Sequence, residues 1–480
     1  MRYLVLCCLI FIGSLTVLAQ GAKSHNENDT KSAELSGVSL PENLSYHEHV
    51  RPIIESNCTT CHVEGQIAGD IPLTDPKETV FAAADIAFAV INRIMPPWMP
   101  SPQSRPFKHE RGLSIEEIAL IAAWAEQGAP LGDEESYAPA TDDEYAIPQI
   151  RADLTLLPEE PYVPDGNLLD DYRCFPLLLD IDEPQFITGY EVLPDVAEMA
   201  HHAIVFLLDE EADDGILRRN YEDGRPGWTC YGGLDSLPNV RTIGTWTPGK
   251  LPVQHPPGTG HRISPGESVV IQMHYNLAIT RQPDQSGIAL QLESADSDIA
   301  ELVTLPLVAP VEIPCPSDIE VPQCEREFSI QRTAELYGER FKGLSDRRLR
   351  LCRQTLADYA GNTGEHAVGT CELTLPSATP NLTAFDVHGH MHELGTSFRF
   401  ELNPEGDDPI LLLDIPRWDF DWQDSYQFAE PVEIAAGDVL RITCTWDNRL
   451  SADPRYVTWG EGTTDEMCLG TLTLLKPERG

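Results

Sequence analysis

The spacing of apolar residues divides the chain into a helical part and a β-rich part. Between residues 46 and 132 they recur at helical spacing, and Ser114 with Glu117 three positions later predicts a capping box for a helix that Gly128 ends. Beyond residue 165, short runs of β-forming residues alternate with turn residues, which predicts antiparallel β-sandwiches. A helix-like insertion at Ser329–Ala360 interrupts these runs. The clearest runs are Phe186–Leu193, Ala203–Leu208, Ser268–Leu277, Gly287–Leu292, Leu382–His388, Ser397–Leu402, Ile410–Ile415 and Val439–Trp446.

The amino terminus has the pattern of a secretory signal: Arg2, an apolar run from Tyr3 to Ile12, and small residues around Ala19. This run is too short to cross a bilayer, and no later stretch reaches about 18 apolar residues, so we expect an exported protein without membrane insertion. The expected divisions are a signal peptide at 1–19, a disordered tether at 20–40, a helical domain at 41–132, an acidic, proline-punctuated linker at 133–165, one β-sandwich at 166–300 and a second at 301–480, with a disulfide-tied helical insertion at about 313–372.

Charge and cysteine content narrow the class of protein. The chain has 33 basic and 77 acidic residues, a formal net charge of −44, which argues against binding to nucleic acid or to an anionic membrane. Of its twelve cysteines, two lie in the expected signal and two in a Cys-x-x-Cys-His motif. The eight that remain are an even number, which predicts disulfides in an exported chain.

Cys58, Cys61 and His62 form the Cys-x-x-Cys-His motif of haem attachment, in which both thiols bond to the haem vinyl groups and the histidine is the proximal iron ligand. A chance histidine or half of a zinc site is the alternative, but no second Cys-x-x-Cys occurs. The surrounding region resembles a small class I cytochrome c domain, in which a methionine before a proline is the distal ligand. Met95 and Met99 both precede prolines, and we prefer Met95. Haem attachment with export indicates a bacterial periplasm or the cell exterior.

Three histidines alternate in a predicted strand. His388, His390 and His392 are two residues apart, so their side chains share one face. Two or three neutral imidazoles on one face can bind zinc, copper, iron or nickel, and an added thioether favours copper. Further candidate ligands in other runs are His201, His202, His274 and Met467.

From about residue 166 to 475 the chain resembles the copper type II, ascorbate-dependent monooxygenases, the family of peptidylglycine hydroxylating monooxygenase and dopamine β-hydroxylase. Four motifs stand in the family's order: Ala200-His201-His202, Gln272-Met273-His274-Tyr275, His390-Met391-His392 with Leu394-Gly395, and Asp465-Glu466-Met467-Cys468. The resemblance implies two β-sandwich domains with one copper ion each. By it, the copper that receives electrons binds His201, His202 and His274. The copper that activates oxygen binds His390, His392 and Met467.

The residues alone leave parts of these ligand sets open. His201 and His202 would point to opposite faces of a regular strand, so joint ligation requires a bulge or a strand end. Either adjacent pair of the three alternating histidines could bind metal. The resemblance selects the later pair, because Gly395 falls five residues after His390 as it does after the family's first ligand. His388 then becomes a pocket residue.

The same resemblance implies two disulfides, Cys174–Cys230 and Cys444–Cys468. The second would brace the strand that carries Met467, for which ordinary core packing is the alternative role. The other four cysteines allow three connectivities, of which we expect Cys315–Cys371 with Cys324–Cys352.

These features predict an exported haem- and copper-dependent monooxygenase that hydroxylates a C–H bond of a small organic substrate with O₂, using an external electron donor to the haem. The alternatives are a non-catalytic electron carrier fused to a copper-binding sandwich, and an oxidase of another substrate with the same metals. The oligomeric state is left open. In peptide-amidating relatives an arginine, an asparagine and a tyrosine grip the substrate carboxylate. Here the matching positions hold His388, Leu469 and Thr471, which predicts an uncharged or less acidic substrate. The alternative is that another cation, such as Arg399 or Arg417, replaces the arginine.

Overall fold

The computed structural model describes residues 35, 37–64, 68, 71–139, 148–164, 170–209, 216–230, 234, 240–248, 250–277, 280–337, 339, 342–460 and 462–476. The expected signal peptide and most of the expected tether lie outside these residues. The chain forms two compact units, Met1–Pro97 with Arg111–Asp142, and Trp98–Glu110 with Asp143–Gly480. Within the described part of the chain, no helix is long and apolar enough to cross a membrane.

The first unit is helical in its described residues. Its helices are α1 (Arg51–Asn57), α2 (Pro76–Phe81), α3 (Ala83–Ile91) and α4 (Ile115–Glu126), with a π-helical turn at Tyr46–Val50 before α1. The predicted capping box is present, because the Ser114 hydroxyl accepts a hydrogen bond from the Glu117 amide and the Glu117 carboxylate accepts one from the Ser114 amide. Gly128 adopts a left-handed conformation just beyond α4, as a helix end favours. Ile121 and Trp124 on α4 are fully buried in this unit's core.

The second unit is mainly β-structure, with helices α5 (Arg326–Tyr337) and α6 (Leu344–Leu351) in the predicted insertion. Its strands are β1 (Leu154–Leu156), β2 (Asp170–Leu177), β3 (Gln185–Leu193), β4 (Ala200–Leu208), β5 (Trp228–Thr229), β6 (Val240–Trp246), β7 (Val253–Gln254), β8 (Thr259–Ile263), β9 (Ser268–Asn276), β10 (Gly287–Ser294), β11 (Ala300–Val308), β12 (Glu312–Ile313), β13 (Ala367–Thr374), β14 (Leu382–His390), β15 (Gly395–Leu402), β16 (Ile410–Ile415), β17 (Ser425–Ile434), β18 (Val439–Trp446), β19 (Val457–Thr458) and β20 (Leu469–Leu475).

Two β-sandwiches share one nine-stranded sheet in the order β1-β10-β3-β8-β11-β20-β14-β17, with β7 also paired to β3. The first half of this sheet packs on the five-stranded sheet β5-β2-β9-β4-β6 around a core that includes Val205 and Ile271. The second half packs on the four-stranded sheet β13-β18-β15-β16 around Phe398 and Ile442. Parallel pairing of β8 with β11 joins the halves. The two expected sandwiches are therefore continuous through their shared sheet.

Part of the expected helical domain at 41–132 belongs to the second unit. The segment Trp98–Glu110 lies on the C-terminal sandwich, where the Arg105 amide donates to the Leu411 carbonyl at 2.9 Å. The ring of Phe107 stacks on that of Phe428 with centroids 5.8 Å apart. Apolar side chains between prolines gain more by packing on this sheet than by forming a helix, because proline removes backbone donors.

Part of the expected linker at 133–165 is also structured. Leu154–Leu156 forms β1 on the edge of the shared sheet, paired with β10. Tyr162 is fully buried, and its hydroxyl donates to Oδ2 of Asp171 at 2.6 Å. The acidic residues and prolines suggested a linker, but apolar residues between them bury enough surface to join the sandwich.

The described residues form four disulfides, Cys174–Cys230, Cys315–Cys324, Cys352–Cys371 and Cys444–Cys468. The first and last are the pairs that the resemblance implied. The expected pairs Cys315–Cys371 and Cys324–Cys352 are wrong. The insertion closes as two local loops of 9 and 19 residues, with Cα atoms of the bonded pairs 5.5 and 5.2 Å apart, rather than as one bracketed excursion. Four disulfides indicate an oxidising compartment.

Candidate metal centre

A bulge at the start of β4 directs the side chains of two adjacent histidines, His201 and His202, toward the same point. Ala200 pairs with Tyr275 of β9 and His202 pairs with His274, so that the register skips His201. A bulge of this kind re-aims a side chain. The irregularity that joint ligation by adjacent histidines requires is therefore present. We call His201, His202 and His274 the three-histidine site.

The three imidazoles converge through the same ring nitrogen. Nδ1 of His202 lies 3.2 Å from Nδ1 of His201 and 3.3 Å from Nδ1 of His274. Imidazole nitrogens at about 2.0–2.1 Å from one ion in a near-tetrahedral arrangement are about 3.3 Å apart. The spacing thus fits one metal ion, and an all-imidazole donor set suits copper as it does zinc, iron and nickel.

The surroundings disfavour protonation of two of these rings and orient the third. Burial lowers the pKa of His201 to about 3 and that of His202 well below its usual value, with neighbouring histidines adding to both effects. Nε2 of His274 lies 2.9 Å from Oδ1 of Asp170, and the Tyr172 ring stacks on His274 with centroids 4.2 Å apart. Because Nε2 donates its hydrogen to the carboxylate, Nδ1 keeps a lone pair for a metal.

His390 ends β14, and His392 lies just beyond it in the same alternation. Nδ1 of His390 donates to Oε1 of Gln423, and Nδ1 of His392 donates to the Asp465 carbonyl at 3.1 Å. Each ring therefore keeps Nε2 for a metal. The ring centroids are 5.1 Å apart with planes at 85°. We call these two histidines, with Met467, the HxH site.

Met467 lies at the same end of the sheet as this histidine pair. It precedes by two residues Leu469, the first residue of β20, whose backbone pairs with His390. Its half-buried side chain packs against the C-terminal core. The register brings Met467 to the neighbourhood of the HxH site, and ligation by its sulfur stays a prediction.

Glu466 ties the two ligand-bearing segments together. Its buried carboxylate accepts hydrogen bonds from the amides of His392 at 2.9 Å, Leu394 at 2.6 Å and Met467 at 3.2 Å. Nε1 of Trp446 adds a fourth at 3.0 Å. Burial raises the pKa of Glu466 to about 8 although these donors lower it. One side chain thus fixes the turn after β14 and the segment before β20.

His388 lies behind the HxH site rather than in it. Its ring is nearly parallel to that of His390 with centroids 6.4 Å apart, and its Nδ1 donates to the Asp424 carbonyl at 2.9 Å. Beside it is the buried Lys250, whose Nζ lies 3.0 Å from Oγ of Ser425 and 3.6 Å from Oδ1 of Asp424. The nearby positive charge is therefore balanced by a carboxylate.

The two histidine sites adjoin one another inside the second unit. The rings of His202 and His390 have centroids 6.1 Å apart. Phe420, in the loop between β16 and β17, stacks on His201 at 4.6 Å and lies edge-on to His392 at 5.9 Å. Ligands from the two sandwiches thus meet at one interface, with an aromatic ring contacting both sets.

The Cys-x-x-Cys-His motif lies in the first unit. Cys58 and Cys61 are the unpaired cysteines among the described residues. Burial raises the pKa of Cys58 to about 12. Nδ1 of His62 donates to the Ile71 carbonyl at 2.9 Å, which leaves Nε2 for an iron ion. Covalent attachment of a haem to these residues stays a prediction.

The two candidate distal ligands fall in different units. Met95 is half-buried in the first unit. Met99 belongs to the second unit, where its sulfur lies 3.3 Å from the Asp419 amide and its side chain packs on the C-terminal core. Which of the two is the distal haem ligand stays a prediction.

Sequence reasoning missed the residues that orient the ligands. Glu466 belongs to the motif Asp465-Glu466-Met467-Cys468, in which the two apolar residues after it indicate that its carboxylate is buried. Asp170 and Gln423 gave no such signal, because their partners are 104 and 33 residues away. Contacts at that separation follow from sheet topology, which periodicity does not encode.

Part of the second unit matches a known protein family. Residues 359–473 match the model of the copper type II ascorbate-dependent monooxygenase C-terminal domain, a stretch that contains the HxH site. No curated protein matches the chain. Among solved structures it is similar to PNGase F, a glycosylasparaginase from Flavobacterium meningosepticum, at 8% identity over 67% of this chain and 95% of that one with a TM-score of 0.25. It is also similar to an allantoicase at 12% identity over 61% and 78% of the chains with a TM-score of 0.15. Scores this low carry no argument, whereas the family match indicates a copper monooxygenase domain.

Proposed function

We propose that this protein is an exported copper-dependent monooxygenase with a covalently attached haem, and that it hydroxylates a C–H bond of a small organic molecule. The observation that carries the proposal is the meeting of two imidazole sets in the unit whose C-terminal part matches a copper monooxygenase domain. The reaction converts R–H, O₂, two electrons and two protons into R–OH and water.

The two sites have different parts in this reaction. The three-histidine site offers only neutral imidazoles, which suit copper that changes oxidation state. The HxH site adds the Met467 thioether, which favours Cu(I), the state that meets O₂. When bound, the copper ions supply one-electron transfer and oxygen activation.

Residues around the HxH site keep its ligands ready. Gln423 and the Asp465 carbonyl hold protons on Nδ1 of the two histidines, so that Nε2 of each stays available. Glu466 ties the turn after His392 to Met467, so that ligands from two segments keep a common position. The neutral acceptors leave the site without a compensating negative charge, which favours the lower oxidation state.

The haem, in this proposal, is attached to Cys58 and Cys61 with His62 as its proximal and Met95 as its distal ligand. The unpaired thiols and the His62 hydrogen bond to a carbonyl support it. Bound there, the haem would supply one-electron transfer, with an external donor as the source of electrons. Methionine ligation raises the haem potential, which suits an acceptor that passes electrons onward one at a time.

The substrate we propose is uncharged. His388 stands where peptide-amidating relatives have the arginine that grips a carboxylate. Arg399, the nearest replacement by sequence, lies 3.0 Å from Oδ1 of Asp414, and Lys250 is balanced by Asp424. Each lost charge-assisted hydrogen bond costs about 1.5–3 kcal/mol, which a mostly neutral histidine does not restore.

Hydroxylation of an acylglycine compared with a matched neutral amide tests this substrate class. We expect a higher kcat/KM for the amide. A clear preference for the acylglycine would show that other residues have rebuilt the clamp.

Oxygen labelling tests the activity itself. The copper-loaded full chain is reduced without air and exposed to ¹⁸O₂ with a panel of neutral organic molecules, beside a Met467→Leu variant that keeps side-chain volume but loses sulfur. We expect one labelled oxygen atom per product in the parent protein and at least a hundredfold less in the variant, about 2.7 kcal/mol of lost transition-state stabilisation. Reoxidation of the metals without label in any organic product would instead support a non-catalytic electron carrier.

A further inference from the structure

One carboxylate outside the predicted ligand sets contacts a ligand of one set directly and reaches the other set through a neighbouring residue. Asp170 is the first residue of β2, in the N-terminal sandwich, and its side chain is 18% exposed. Its Oδ1 accepts a hydrogen bond from Nε2 of His274 at 2.9 Å and another from the Thr463 hydroxyl at 2.8 Å. A single oxygen atom therefore joins a ligand of the three-histidine site to a residue of the C-terminal sandwich.

Toward His274, the carboxylate sets which ring nitrogen is free. An anionic acceptor on Nε2 orients the ring and makes Nδ1 a better donor to a metal. Nδ1 is the atom that lies 3.3 Å from its counterpart on His202.

Toward Thr463, the carboxylate reaches the segment that carries Met467. Thr463 is buried in a turn closed by the Asp465 amide, which donates to the Gly462 carbonyl at 2.7 Å. The carbonyl of Asp465 accepts from His392, and Met467 follows two residues later. Thr463 thus anchors the segment that positions two parts of the HxH site.

We propose that Asp170 is a positioning residue for both copper sites, holding His274 directly and the Met467 segment through Thr463. This inference rests on the proposed function and names a residue pair through which the sites are mechanically coupled. Its consequence is asymmetric: removal of the carboxylate affects both sites, whereas removal of the Thr463 hydroxyl affects only the HxH site.

Copper titrations of the full chain test this asymmetry. The variants are Asp170→Ala, Asp170→Asn and Thr463→Val, with Thr463→Ser as the control that keeps the hydroxyl. Affinity for the three-histidine site is measured in a His390→Ala background, and Cu(I) affinity for the HxH site in a His274→Ala background. The Cu(II) electron paramagnetic resonance spectrum of the three-histidine site supplies a readout that a change of stability alone does not move.

We expect Asp170→Ala to weaken the three-histidine site about 10- to 100-fold and to alter its spectrum, since loss of an outer acceptor typically has that effect. Asp170→Asn keeps shape but loses charge, so it should weaken the same site while the protein stays folded. Thr463→Val should leave that site within about twofold of the parent and weaken Cu(I) at the HxH site by about 2- to 10-fold, as loss of one neutral hydrogen bond predicts. Thr463→Ser should match the parent.

Two results overturn the inference while the proposed function stands. One is two-copper binding with parent-like affinities and spectra in Asp170→Asn and Thr463→Val, accompanied only by lower melting temperatures. The other is equal weakening of the three-histidine site by Asp170→Asn and Thr463→Val. A parent protein that binds fewer than two copper ions overturns the proposed function, and the inference with it.

Discussion

The two histidine sites of the second unit are built in opposite ways. The three-histidine site takes adjacent residues from a bulged strand and a third from its neighbour, and all three rings face inward through Nδ1. The HxH site takes the last residue of β14 and the residue two positions beyond it, and both rings use Nδ1 for hydrogen bonds and keep Nε2. The three-histidine site takes all of its predicted ligands from two paired strands, whereas the HxH site needs a further ligand, Met467, from a separate segment.

The partners of the rings differ as much as the rings do. Asp170, an anion, accepts from the three-histidine site, whereas a side-chain amide and a backbone carbonyl accept from the HxH site. An anionic acceptor strengthens a histidine ligand and favours the more oxidised metal, and neutral acceptors with a thioether favour the more reduced one. In the proposed function, this difference in acceptor charge, added to the difference in ligands, separates the copper that transfers electrons from the copper that meets O₂.

The strongest way to break the comparison is to remove one site at a time. His274→Ala should lower bound copper from two ions to one, because the two imidazoles that remain bind copper more weakly than three do. Without that copper ion, electron delivery to the HxH site should stop. Metal analysis and stopped-flow reduction measure both effects. His366→Ala, at an exposed histidine, is the control and should keep both ions. Retention of two tightly bound ions in His274→Ala would refute the assignment.

Met467→Ala removes the thioether ligand predicted for the HxH site. We expect both copper ions to remain in the oxidised protein, Cu(I) binding to weaken, and hydroxylation to be lost, because the thioether stabilises the state that meets O₂. Chelator competition under reducing conditions and product assays separate these effects. Full turnover in Met467→Ala would show that another group activates oxygen.

The sequence predicted the parts of this comparison that repeat locally. Alternation placed His390 and His392 on one face, and the strand runs found the sandwiches, because both follow from a period of two residues. A regular strand did not predict joint use of His201 and His202, since the bulge depends on how β4 pairs with a distant strand.

Long-range choices were the ones the sequence could not settle. The disulfide partners expected for Cys315 and Cys352 are wrong, because nothing in the local sequence shows that the insertion closes as two small loops. Gln423 and Asp170 were missed since their partners come from other strands. The continuous nine-stranded sheet likewise depends on a parallel contact between β8 and β11.

Removing the electron supply sharpens the comparison without touching either copper site. Cys58→Ala should leave two copper ions bound and single-turnover hydroxylation intact with a chemical reductant, while slowing reduction by a protein donor. Spectra of Met95→Ala and Met99→Ala identify the distal ligand. Loss of the sulfur-to-iron charge-transfer band only in Met99→Ala would contradict our preference.

The smallest expected effect comes from giving His390 a carboxylate acceptor, as His274 has in Asp170. Gln423→Glu places a carboxylate beside His390 and should lower the reduction potential of the HxH copper by up to roughly 59 mV, which is a tenfold change in the one-electron equilibrium. Gln427→Glu, two residues along β17 from Ser425, adds the same charge without that contact and is the control. Equal shifts in both variants would mean that general charge, not the hydrogen bond, sets the potential.

X-ray absorption of the fully reduced protein tests most directly whether the two copper sites are unlike. With both sites loaded as Cu(I), we predict one sulfur neighbour per two copper ions and nitrogen neighbours otherwise. The sulfur signal should persist in His274→Ala, where it becomes one sulfur per copper, and vanish in Met467→Ala. A parent protein without sulfur scattering, or a signal that survives in Met467→Ala, would contradict the division of the centre into an all-imidazole site and a thioether site.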